Sequence, residues 1–444
     1  MKTIVAVIDA GGRGSALVDA YAKSSMVDEI IAIPGNDLMQ INTSKPVHTY
    51  PELKTTSSEE ILKICQEFSV SLVDVAQDNA VEAGVSDLLR ESGFKVVGAS
   101  KDAGQLEWDK AWSRDFMVKN NLPVPVYQVC QSEEEGLKFL QSQKDQAWFI
   151  KAAGLAEGKG VIPARNNEQA AVAIKEMTRF GKAGATYLIE QALIGEEFSA
   201  FAISDSEGFQ ILGSAQDHKR VDDGDLGPNT GGMGCATPPL VVDGEIKSQI
   251  DEIFRKTYEG LKKDNLTYQG VLYLGGIVVS EESGPKVYII EYNARWGDPE
   301  VECILPGIEN DWYQIGLAVS DNRLSQIKIT NDGKTRIAVA GASLGYPEDY
   351  SKVKGREILG LSEFIRSNDI KIYGAGVKIN DGKYIASGGR LFYVVTSGKD
   401  IREARDKAYK ALELISIQGE NQENLLHFRK DIGYRDVDRL SQKV

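Results

Sequence analysis

The hydrophobic pattern of the first hundred residues predicts strands that alternate with helices. Residues 3–8 are almost continuously apolar and β-branched, which is typical of a strand buried on both faces of a parallel sheet. The alternation continues with strands at residues 29–33, 72–76 and 95–97 and helices at residues 16–23, 61–67 and 79–92. It predicts a doubly wound α/β domain over residues 1–102. The residues expected around its ligand crevice, where the strands end, are 11–15 (with Gly12 and Arg13), 34–36 (with Asn36) and 77–78.

The later patterns are mixed α/β and α+β. A helix over residues 103–119 and a proline-containing linker lead into a small α+β unit, which has the size of a lid that closes over a nucleotide. A larger mixed region follows, and the last part is β-rich before a helix at residues 402–414. The polar tail at residues 431–444 is expected at the surface. The predicted domains are residues 1–102, a central domain of residues 103–125 and 191–330, a lid of residues 126–190, and a β-rich C-terminal domain of residues 331–444.

Composition narrows the classes of function. The 444 residues are 42% apolar and 26% charged, which is ordinary for a soluble globular protein, and this length predicts several domains. A net charge of -14 argues against non-specific nucleic-acid binding. The beginning of the chain does not fit a signal peptide, and no apolar run reaches the length of a membrane span. The four scattered cysteines favour reduced structural thiols over disulfides or zinc, so a cytoplasmic location is expected.

Residues 288–300 carry the clearest candidate chemistry. Glu291 and Asn293 are two apart on a predicted strand and therefore share one face. Two oxygen ligands on one face suit Mg²⁺, which usually keeps waters and shares phosphates. Arg295 can present its planar guanidinium to a phosphate or a carboxylate at the same centre. A solvated polar edge strand explains the same short pattern equally well.

A second group of residues suits a nucleotide. Lys151 ends a strand before a Gly-rich loop at residues 154–160, whose freed backbone N–H groups can surround phosphate oxygens. The loop lacks the Walker A spacing, and simple hairpin turns are an alternative. The backbone of residues 190–193 can pair with the edge of adenine, and Glu197 can accept from ribose hydroxyls, although both glutamates also suit solvated strand ends. Lys110 alone would be interpreted as a surface residue.

The longest stretch without apolar patterning is residues 216–234. It combines cations, glycines and an Asn-Thr pair, unlike a low-complexity linker. A surface loop of this length in a compact domain is usually functional or disordered, and a binding role is favoured. His218 is one of three histidines, and a lone histidine is more often structural than catalytic.

Taken together, these segments resemble the glycinamide ribonucleotide synthetase (phosphoribosylamine–glycine ligase) family of ATP-grasp enzymes. The matching segments are QLE at 105–107, KAAG at 151–154, GKGV at 158–161, GEE at 195–197, QDHKR at 216–220, GPNTGGMG at 227–234, EYNARWGDPE at 291–300, SGGR at 387–390 and FRKDIGY at 428–434. The resemblance covers essentially the whole chain. It implies an ATP-grasp fold with an N-terminal doubly wound domain and a C-terminal β-rich domain. It also implies a reaction in which ATP converts glycine into an acyl phosphate that 5-phosphoribosylamine attacks.

The resemblance implies roles for matching residues. Arg295 would stabilise the charge that develops during transfer, and Glu291 and Asn293 would bind Mg²⁺ or Mn²⁺. The residues implied for ATP are Lys110, Lys151, Gly154, Gly158, Lys159, Gly160, Glu190, Gln191, Ala192, Leu193 and Glu197. The residues implied for the substrates, an amino acid and a phosphorylated amine, are Gly12, Arg13, Asn36, Asp217, His218, Lys219, Asn229, Thr230, Gly231, Gly232 and Asp298. A monomer or small homo-oligomer without nucleic-acid or membrane partners is expected.

The chain departs from the family pattern mainly in the predicted N-terminal crevice. The differing positions are Gly14, Ser15, Gln77, Asp78 and Ala153, where the family has other residues. One interpretation is divergence with the same reaction, and the alternative is a paralogue that ligates a related amine or amino acid. A nucleotide-binding regulatory module without turnover is less compatible, because Glu291, Asn293 and Arg295 are all present. A Rossmann dehydrogenase is disfavoured because the glycines of residues 11–14 do not have the G-x-G-x-x-G spacing.

Overall fold

The computed structural model describes residues 2–155, 160–420 and 423–442. The N-terminal region alternates strands and helices as predicted, and its strands pair in parallel in the order β5-β4-β1-β2-β3. Its elements are β1 (Ile4–Ile8), α1 (Gly12–Lys23), β2 (Glu29–Ala32), α2 (Asp37–Ile41), β3 (Val47–Thr49), α3 (Ser58–Glu67), β4 (Leu72–Val75), α4 (Asp78–Glu82), α5 (Val85–Glu91) and β5 (Val96–Ala99). The predicted doubly wound arrangement is confirmed.

The next region forms a separate four-stranded sheet with its own apolar core, in the order β6-β9-β7-β8. Its elements and the helices before it are α6 (Gln105–Trp108), α7 (Lys110–Lys119), β6 (Tyr127–Cys130), α8 (Glu133–Ser142), β7 (Trp148–Ala152), β8 (Val161–Ala164), α9 (Asn167–Glu176), a 3-10 turn (Met177–Phe180), α10 (Lys182–Ala185) and β9 (Tyr187–Gln191). This sheet corresponds to the unit predicted as a lid.

Long antiparallel strands form the centre of the chain. The elements are β10 (Glu196–Asp205), β11 (Phe209–Asp217), β12 (Arg220–Asp222), β13 (Leu226–Asn229), β14 (Gly234–Thr237), α11 (Gly244–Lys263), β15 (Tyr268–Glu281), β16 (Gly284–Asn293), α12 (Glu300–Ile304) and α13 (Trp312–Ser320). Strand β15 pairs with β10, β16 and the N-terminal strand β5, so the central and N-terminal sheets are continuous.

The C-terminal part is β-rich, as predicted, and its strand β17 extends the same sheet by pairing with β14. Its elements are β17 (Thr335–Ser343), β18 (Ile358–Leu359), β19 (Ile370–Gly374), β20 (Val377–Asn380), β21 (Lys383–Ala386), β22 (Arg390–Gly398), α14 (Ile401–Leu412), β23 (Ser416–Ile417), β24 (Leu426–His427) and α15 (Tyr434–Gln442). Short 3-10 turns occupy Leu305–Gly307, Leu324–Gln326 and Leu361–Phe364. Among the described residues, no helix is both long and apolar enough to cross a membrane.

Two predicted helices are each divided in the structure. The helix expected over residues 79–92 is interrupted at Gly84, whose φ of 78° is a left-handed conformation. The helix expected over residues 103–119 stops at Asp109, whose carboxylate accepts the N–H groups of Ala111 (3.1 Å) and Trp112 (3.0 Å) and so begins a new helix. Glu107 and Lys110, on either side of this break, both line the cleft described below.

The tail predicted at the surface, residues 431–444, is partly buried over its described residues. Residues 434–442 form α15, which contains the buried Asp436, and Arg429, just before the tail, is fully buried. Arg429 pairs with Asp225 (Nη1–Oδ1, 2.8 Å) and with Asp431 (Nε–Oδ1, 2.8 Å). The charged residues of the tail predicted exposure to solvent. The segment that covers them, residues 219–230, lies about two hundred residues away along the chain, so the local pattern could not reveal it.

Candidate active site

A cleft of about 660 Å³ separates the four-stranded sheet from the central strands. The structure brings most of the residues predicted for ATP, metal and substrates into its lining. These residues are Lys110, Lys151, Gly160, Glu190, Gln191, Leu193, Glu197, Asp217, Lys219, Asn229, Thr230, Gly231, Glu291, Asn293, Arg295 and Asp298. Gly158 and Lys159 lie outside the described residues, so their predicted roles stay predictions. Other predicted residues lie behind the lining and are located below.

One end of the cleft combines apolar side chains with a buried ion-pair cluster. Its apolar lining includes Phe149, Leu188, Leu193 and Ile290. The carboxylate of Glu190 contacts the ammonium of Lys151 and accepts from Nε of Arg114 at 2.8 Å. Burial by itself raises the pKa of Glu190, but Arg114 and Lys151 together hold it below its usual value. Glu190 therefore stays ionised and fixes Lys151 at the wall of the cleft. Gly154 and Ala192 support this wall through backbone hydrogen bonds to Ala183 and Ala147.

Strand β16 delivers the two predicted metal ligands. Glu291 lies opposite Gly275 of β15, next to a register shift between Gly275 and Gly276, and both Glu291 and Asn293 reach the cleft. Burial opposes the charge of Glu291, but Lys219, Lys151 and Lys110 lower its pKa below the usual value. Among the described residues, no cluster of three or more His, Cys, Asp or Glu side chains suits a metal. The donors are therefore one carboxylate and one amide oxygen, which fit an ion that takes its other ligands from phosphates and water.

Arg295 is held from two sides. Its Nη2 lies 2.7 Å from Oε1 of Glu107 and 3.2 Å from Oδ1 of Asn293, and its Nη1 donates to the carbonyl of Trp296 at 3.1 Å. The other oxygen of Glu107 accepts the N–H of Ala294 at 2.8 Å. Burial disfavours the charge of Arg295, but Glu107, Asp78 and other nearby acidic groups together more than compensate and raise its pKa. Glu107 thus fixes both the guanidinium and the backbone that carries it.

Residues 219–230 form a hairpin instead of the expected irregular loop. Strands β12 and β13 pair across a turn in which Gly224 and Asp225 have positive φ. Both the N–H and the hydroxyl of Thr230 donate to the carbonyl of Lys219, at 2.7 and 2.8 Å. The hairpin and the preceding strand place cations and amide groups along one side of the cleft. The residues of this side that line the cleft are Asp217, Lys219, Arg220, Asp225, Asn229, Thr230 and Gly231.

Asp217 and Lys219 place an acidic and a basic group on this side of the cleft. Lys219 lies 3.1 Å from Glu197, which is the main cause of the raised pKa of Lys219. Burial, together with nearby Glu300, raises the pKa of Asp217. Among the described residues, Oδ1 of Asp217 has no hydrogen-bond partner. A buried carboxylate of this kind is suited to a cationic ligand, because a positive charge would offset its desolvation.

His218 points away from the cleft, so the structure does not place it with the predicted substrate residues. It is buried, and its Nε2 accepts the N–H of Gly433 at 2.9 Å, while Nδ1 lies 3.8 Å from Asp225. Burial lowers the pKa of His218, in agreement with a neutral ring that accepts at Nε2. His218 therefore joins the hairpin to the C-terminal segment.

The N-terminal loop also lies behind the cleft. Nε of Arg13 pairs with Asp9 at 2.7 Å, and its Nη1 donates to the carbonyl of Trp296 at 3.0 Å. Asn36 caps α2 and donates to the carbonyls of Ala10 (2.8 Å) and Gly374 (2.9 Å). Gly12 begins α1, where an added Cβ would lie 2.5 Å from Glu302. These three residues support the cleft without lining it.

Two of the departures from the family pattern belong to this packing. Ser15 donates to the carbonyl of Gly374 at 2.6 Å, and a Cβ at Gly14 would lie only 2.8 Å from that of Asp9. Ala153 is also buried and accepts the N–H of Lys110 at 2.9 Å. Of the five departures, Asp78 alone lines the cleft.

A C-terminal arginine joins two of the segments that line the cleft. Nη1 of Arg390 donates to the carbonyls of Gly231 (2.8 Å), Gly232 (3.2 Å) and Asp298 (3.1 Å), and lies 3.0 Å from Oδ1 of Asp298. The hydroxyl of Tyr393 also donates to Asp298. Sequence reasoning gave no role to Glu107 or Arg390, although both lie in the segments of family resemblance. Arg114 lies outside those segments.

Comparison with known proteins assigns the family. The model of the phosphoribosylglycinamide synthetase family matches as an N domain over residues 3–107, an ATP-grasp (A) domain over residues 108–301 and a C domain over residues 336–435. A phosphoribosylamine–glycine ligase of Haemophilus influenzae is 35% identical, with 99% of this chain and 100% of the relative covered. The corresponding ligase of Caldanaerobacter subterraneus is also 35% identical, over 96% of this chain and 99% of its own.

Solved structures agree with this assignment. The crystal structure of phosphoribosylamine–glycine ligase from Thermotoga maritima matches with a TM-score of 0.80 and 29% identity, covering 97% of this chain and 100% of the other. The chain shares its fold with the biotin carboxylase domain of the Hydrogenobacter thermophilus 2-oxoglutarate carboxylase. That structure matches with a TM-score of 0.71 and 16% identity, covering 96% of this chain and 92% of the other. The predicted ATP-grasp fold and family resemblance are confirmed. The chain belongs to the phosphoribosylglycinamide synthetase (phosphoribosylamine–glycine ligase) family.

Proposed function

We propose that the protein is an ATP-dependent carbon–nitrogen ligase that joins glycine to 5-phosphoribosylamine. ATP phosphorylates the glycine carboxylate, the amine attacks the resulting glycyl phosphate, and glycinamide ribonucleotide, ADP and phosphate are released. The observation that carries this proposal is the convergence of Glu291, Asn293 and Arg295 with three lysines in one cleft of a chain that matches a family member over that relative's whole length. A regulatory module without turnover would not require this convergence.

We propose that ATP lies along the wall formed by the four-stranded sheet. The apolar side chains around Phe149 and Leu193 suit the faces of a purine, and the backbone of residues 190–193 suits its edge. Lys110 and Lys151 provide positive charge for the phosphates, and Glu197 provides an acceptor for the ribose. In this proposal, residues 126–190 act as the lid over the nucleotide. The other units are the N-terminal domain (1–102), the central domain (103–125 together with 191–330) and the C-terminal domain (331–444).

The residues present fit a hard divalent cation, Mg²⁺ or Mn²⁺, at Glu291 and Asn293. Such an ion, when bound with ATP, supplies Lewis-acid stabilisation of the phosphate oxygens. The protein contributes two oxygen donors. One is the carboxylate of Glu291, which nearby lysines keep anionic, and the other is the amide oxygen of Asn293, which accepts from Arg295. Arg295 stabilises negative charge on the transferred phosphoryl group and on the tetrahedral intermediate.

We assign the substrates to the side of the cleft formed by Asp217, Lys219, Asn229, Thr230, Gly231 and Asp298. Oδ1 of Asp217, for which the described part of the chain offers no hydrogen-bond partner, suits the ammonium of glycine, and Lys219 suits an anionic group. His218 and Gly232 support this side from outside the lining through hydrogen bonds with Gly433 and Arg390. Gly12, Arg13 and Asn36 support the cleft in the same way from the N-terminal loop. Because Gly14, Ser15 and Ala153 lie in packed positions, their departures favour the same reaction over a changed substrate.

A substrate panel tests this proposal. The purified protein is incubated with ATP, Mg²⁺, glycine and 5-phosphoribosylamine, and released phosphate is compared with glycinamide ribonucleotide measured by mass spectrometry. We expect the two products in equal amounts and little phosphate when either substrate is omitted. The second candidate is a paralogue with a different amine or amino-acid substrate, which the presence of Asp78 in the cleft favours. Turnover with other amines or amino acids, but not with this pair, would support it. ATP binding without any turnover would support a regulatory module.

A further inference from the structure

Two of the four cysteines meet beneath the floor of the cleft. The Sγ atoms of Cys235, on β14, and Cys303, on α12, are 3.3 Å apart, and both side chains are fully buried in one hydrophobic core. The thiol of Cys235 also lies 3.1 Å from the carbonyl of Pro299, to which it donates. The other two cysteines, Cys65 and Cys130, are buried in two different cores. Only the first pair therefore has the proximity that a reaction between thiols requires.

We propose that Cys235 and Cys303 form a redox modification site that closes to a disulfide with a small peroxide. A disulfide has an S–S distance of about 2.05 Å, so the two sulfur atoms need to approach by little more than 1 Å. No third ligand joins them in a metal cluster within the described residues, and an S–S bond needs no space for an additional atom.

The reaction balances with hydrogen peroxide as the two-electron oxidant. One sulfur, as its thiolate, attacks a peroxide oxygen; the O–O bond breaks, and a sulfenic acid and water form. The second sulfur attacks the sulfenic sulfur, the S–O bond breaks, and a second water leaves as the S–S bond forms. In sum, two thiols and one peroxide give one disulfide and two waters. Burial raises the pKa of Cys235, which keeps it as a thiol, so slow oxidation is expected.

The position of the pair couples this bond to the cleft. In the pairing of β11 with β14, Cys235 lies opposite Asp217, and Cys303 follows Glu300 by one turn of α12. Both Asp217 and Glu300 line the cleft. Disulfide formation removes the donation from Cys235 to Pro299 and draws the turn that carries Asp298 toward β14. A displacement of about 1 Å in a positioning group can reduce a rate by up to about a hundredfold.

The test uses the full-length protein treated with excess hydrogen peroxide and then alkylated under denaturing conditions. Peptide mapping without reductant should show residues 235 and 303 in one cross-linked species. Ligase activity should fall by about tenfold or more and return with dithiothreitol. Cys303→Val and Cys235→Ala should each resist this reversible loss, whereas the matched variants Cys65→Ala and Cys130→Ala should respond like the wild type.

The cross-linked peptide tests the thiol pair itself, whereas the loss of ligase activity also rests on the proposed function. If both thiols are alkylated after a peroxide treatment that inactivates the wild type, the modification site is refuted. Equal, dithiothreitol-reversible inactivation of both cross-link variants would refute it as well. A cross-linked peptide in a protein whose activity does not change would overturn the coupling to the cleft. The cross-link requires no turnover, so it tests the thiol pair even if the ligase assignment fails.

Discussion

The ion pair between Glu107 and Arg295 provides a quantitative test of how the cleft is organised. The Glu107→Gln substitution keeps the shape of the side chain but removes its charge. Glu107 now serves two donors, Arg295 and the N–H of Ala294, one with each oxygen. An amide has one acceptor oxygen, so its NH₂ group must face one of these donors. The substitution therefore releases either the guanidinium or the backbone beside it.

The expected magnitude follows from the burial of this pair. The side chains of Arg295 and Glu107 are 18% and 6% exposed, so solvent screens their interaction little. A hydrogen bond to a charged group contributes about 1.5–3 kcal/mol. If this energy holds the guanidinium in its productive position, kcat should fall by about ten- to a hundredfold. ATP affinity should change by less than about threefold, because Glu107 does not lie among the residues assigned to the nucleotide.

The assay separates kcat from nucleotide binding. Steady-state release of glycinamide ribonucleotide gives kcat, and calorimetric titration with ADP and Mg²⁺ gives the dissociation constant. Glu252→Gln is a matched control, since Glu252 pairs with Arg255 on the exposed surface of α11 and its loss should leave both quantities unchanged. An unchanged kcat in Glu107→Gln would refute the argument that this carboxylate positions Arg295. A large loss of ADP affinity would instead assign Glu107 to the nucleotide.

Three further substitutions probe the remaining parts of the cleft. Arg295→Ala should abolish amide formation while ADP binding changes little, because the guanidinium acts on the transferred group; the product and binding assays above measure both. Arg390→Lys should lower kcat/KM by about tenfold, because the lysine ammonium ends one bond short of the Nη1 atom that contacts two backbone segments and Asp298. In His218→Gln, the melting temperature should depend less on pH between about 7 and 5 than in the wild type. His218 is neutral in the folded protein and accepts from Gly433, whereas the unfolded chain binds a proton below about pH 6.5, so the wild type loses this part of its stability as pH falls.

Each of these expectations has its own control. Full turnover in Arg295→Ala would remove the central assignment of the site. Wild-type kcat/KM in Arg390→Lys would show that the charge alone, rather than the position of Nη1, is required. His48→Gln is the control for pH, because His48 is 47% exposed on its side chain. Identical pH dependence of His218→Gln and the wild type would contradict a neutral, accepting ring.

Local pattern predicted much of this fold because the buried strands and amphipathic helices carry their own signals. Four of the five parallel N-terminal strands, all except β3, and the helix α14 were predicted to within a few residues. The breaks at Gly84 and Asp109 were missed, since the apolar periodicity continues across both positions. The strand pattern also predicted that Glu291 and Asn293 share one face, because a period of two is set by the backbone alone, and both residues line the cleft.

Pattern could not predict which side chains lie behind the cleft. His218 lies between two residues that line it, Asp217 and Lys219, and only the partner Gly433 reveals that its ring points away. Asp436 belongs to the tail predicted at the surface, yet it is buried, and Arg429 just before that tail is fully buried between Asp225 and Asp431. In both cases the deciding contact joins segments about two hundred residues apart, and such pairing leaves no local signal.

These distant contacts also explain how the N-terminal loop can depart from its family while the cleft is retained. Ser15 donates to Gly374 of β19, and Gly14 packs where no side chain would fit, so this loop is joined to the C-terminal sheet. From that sheet, Arg390 reaches across to the turn at Asp298, which does line the cleft. Changes in the loop are therefore absorbed by packing behind the site. Asp78 is different, because its carboxylate faces the cleft near Arg295, and it is the departure through which substrate preference can change.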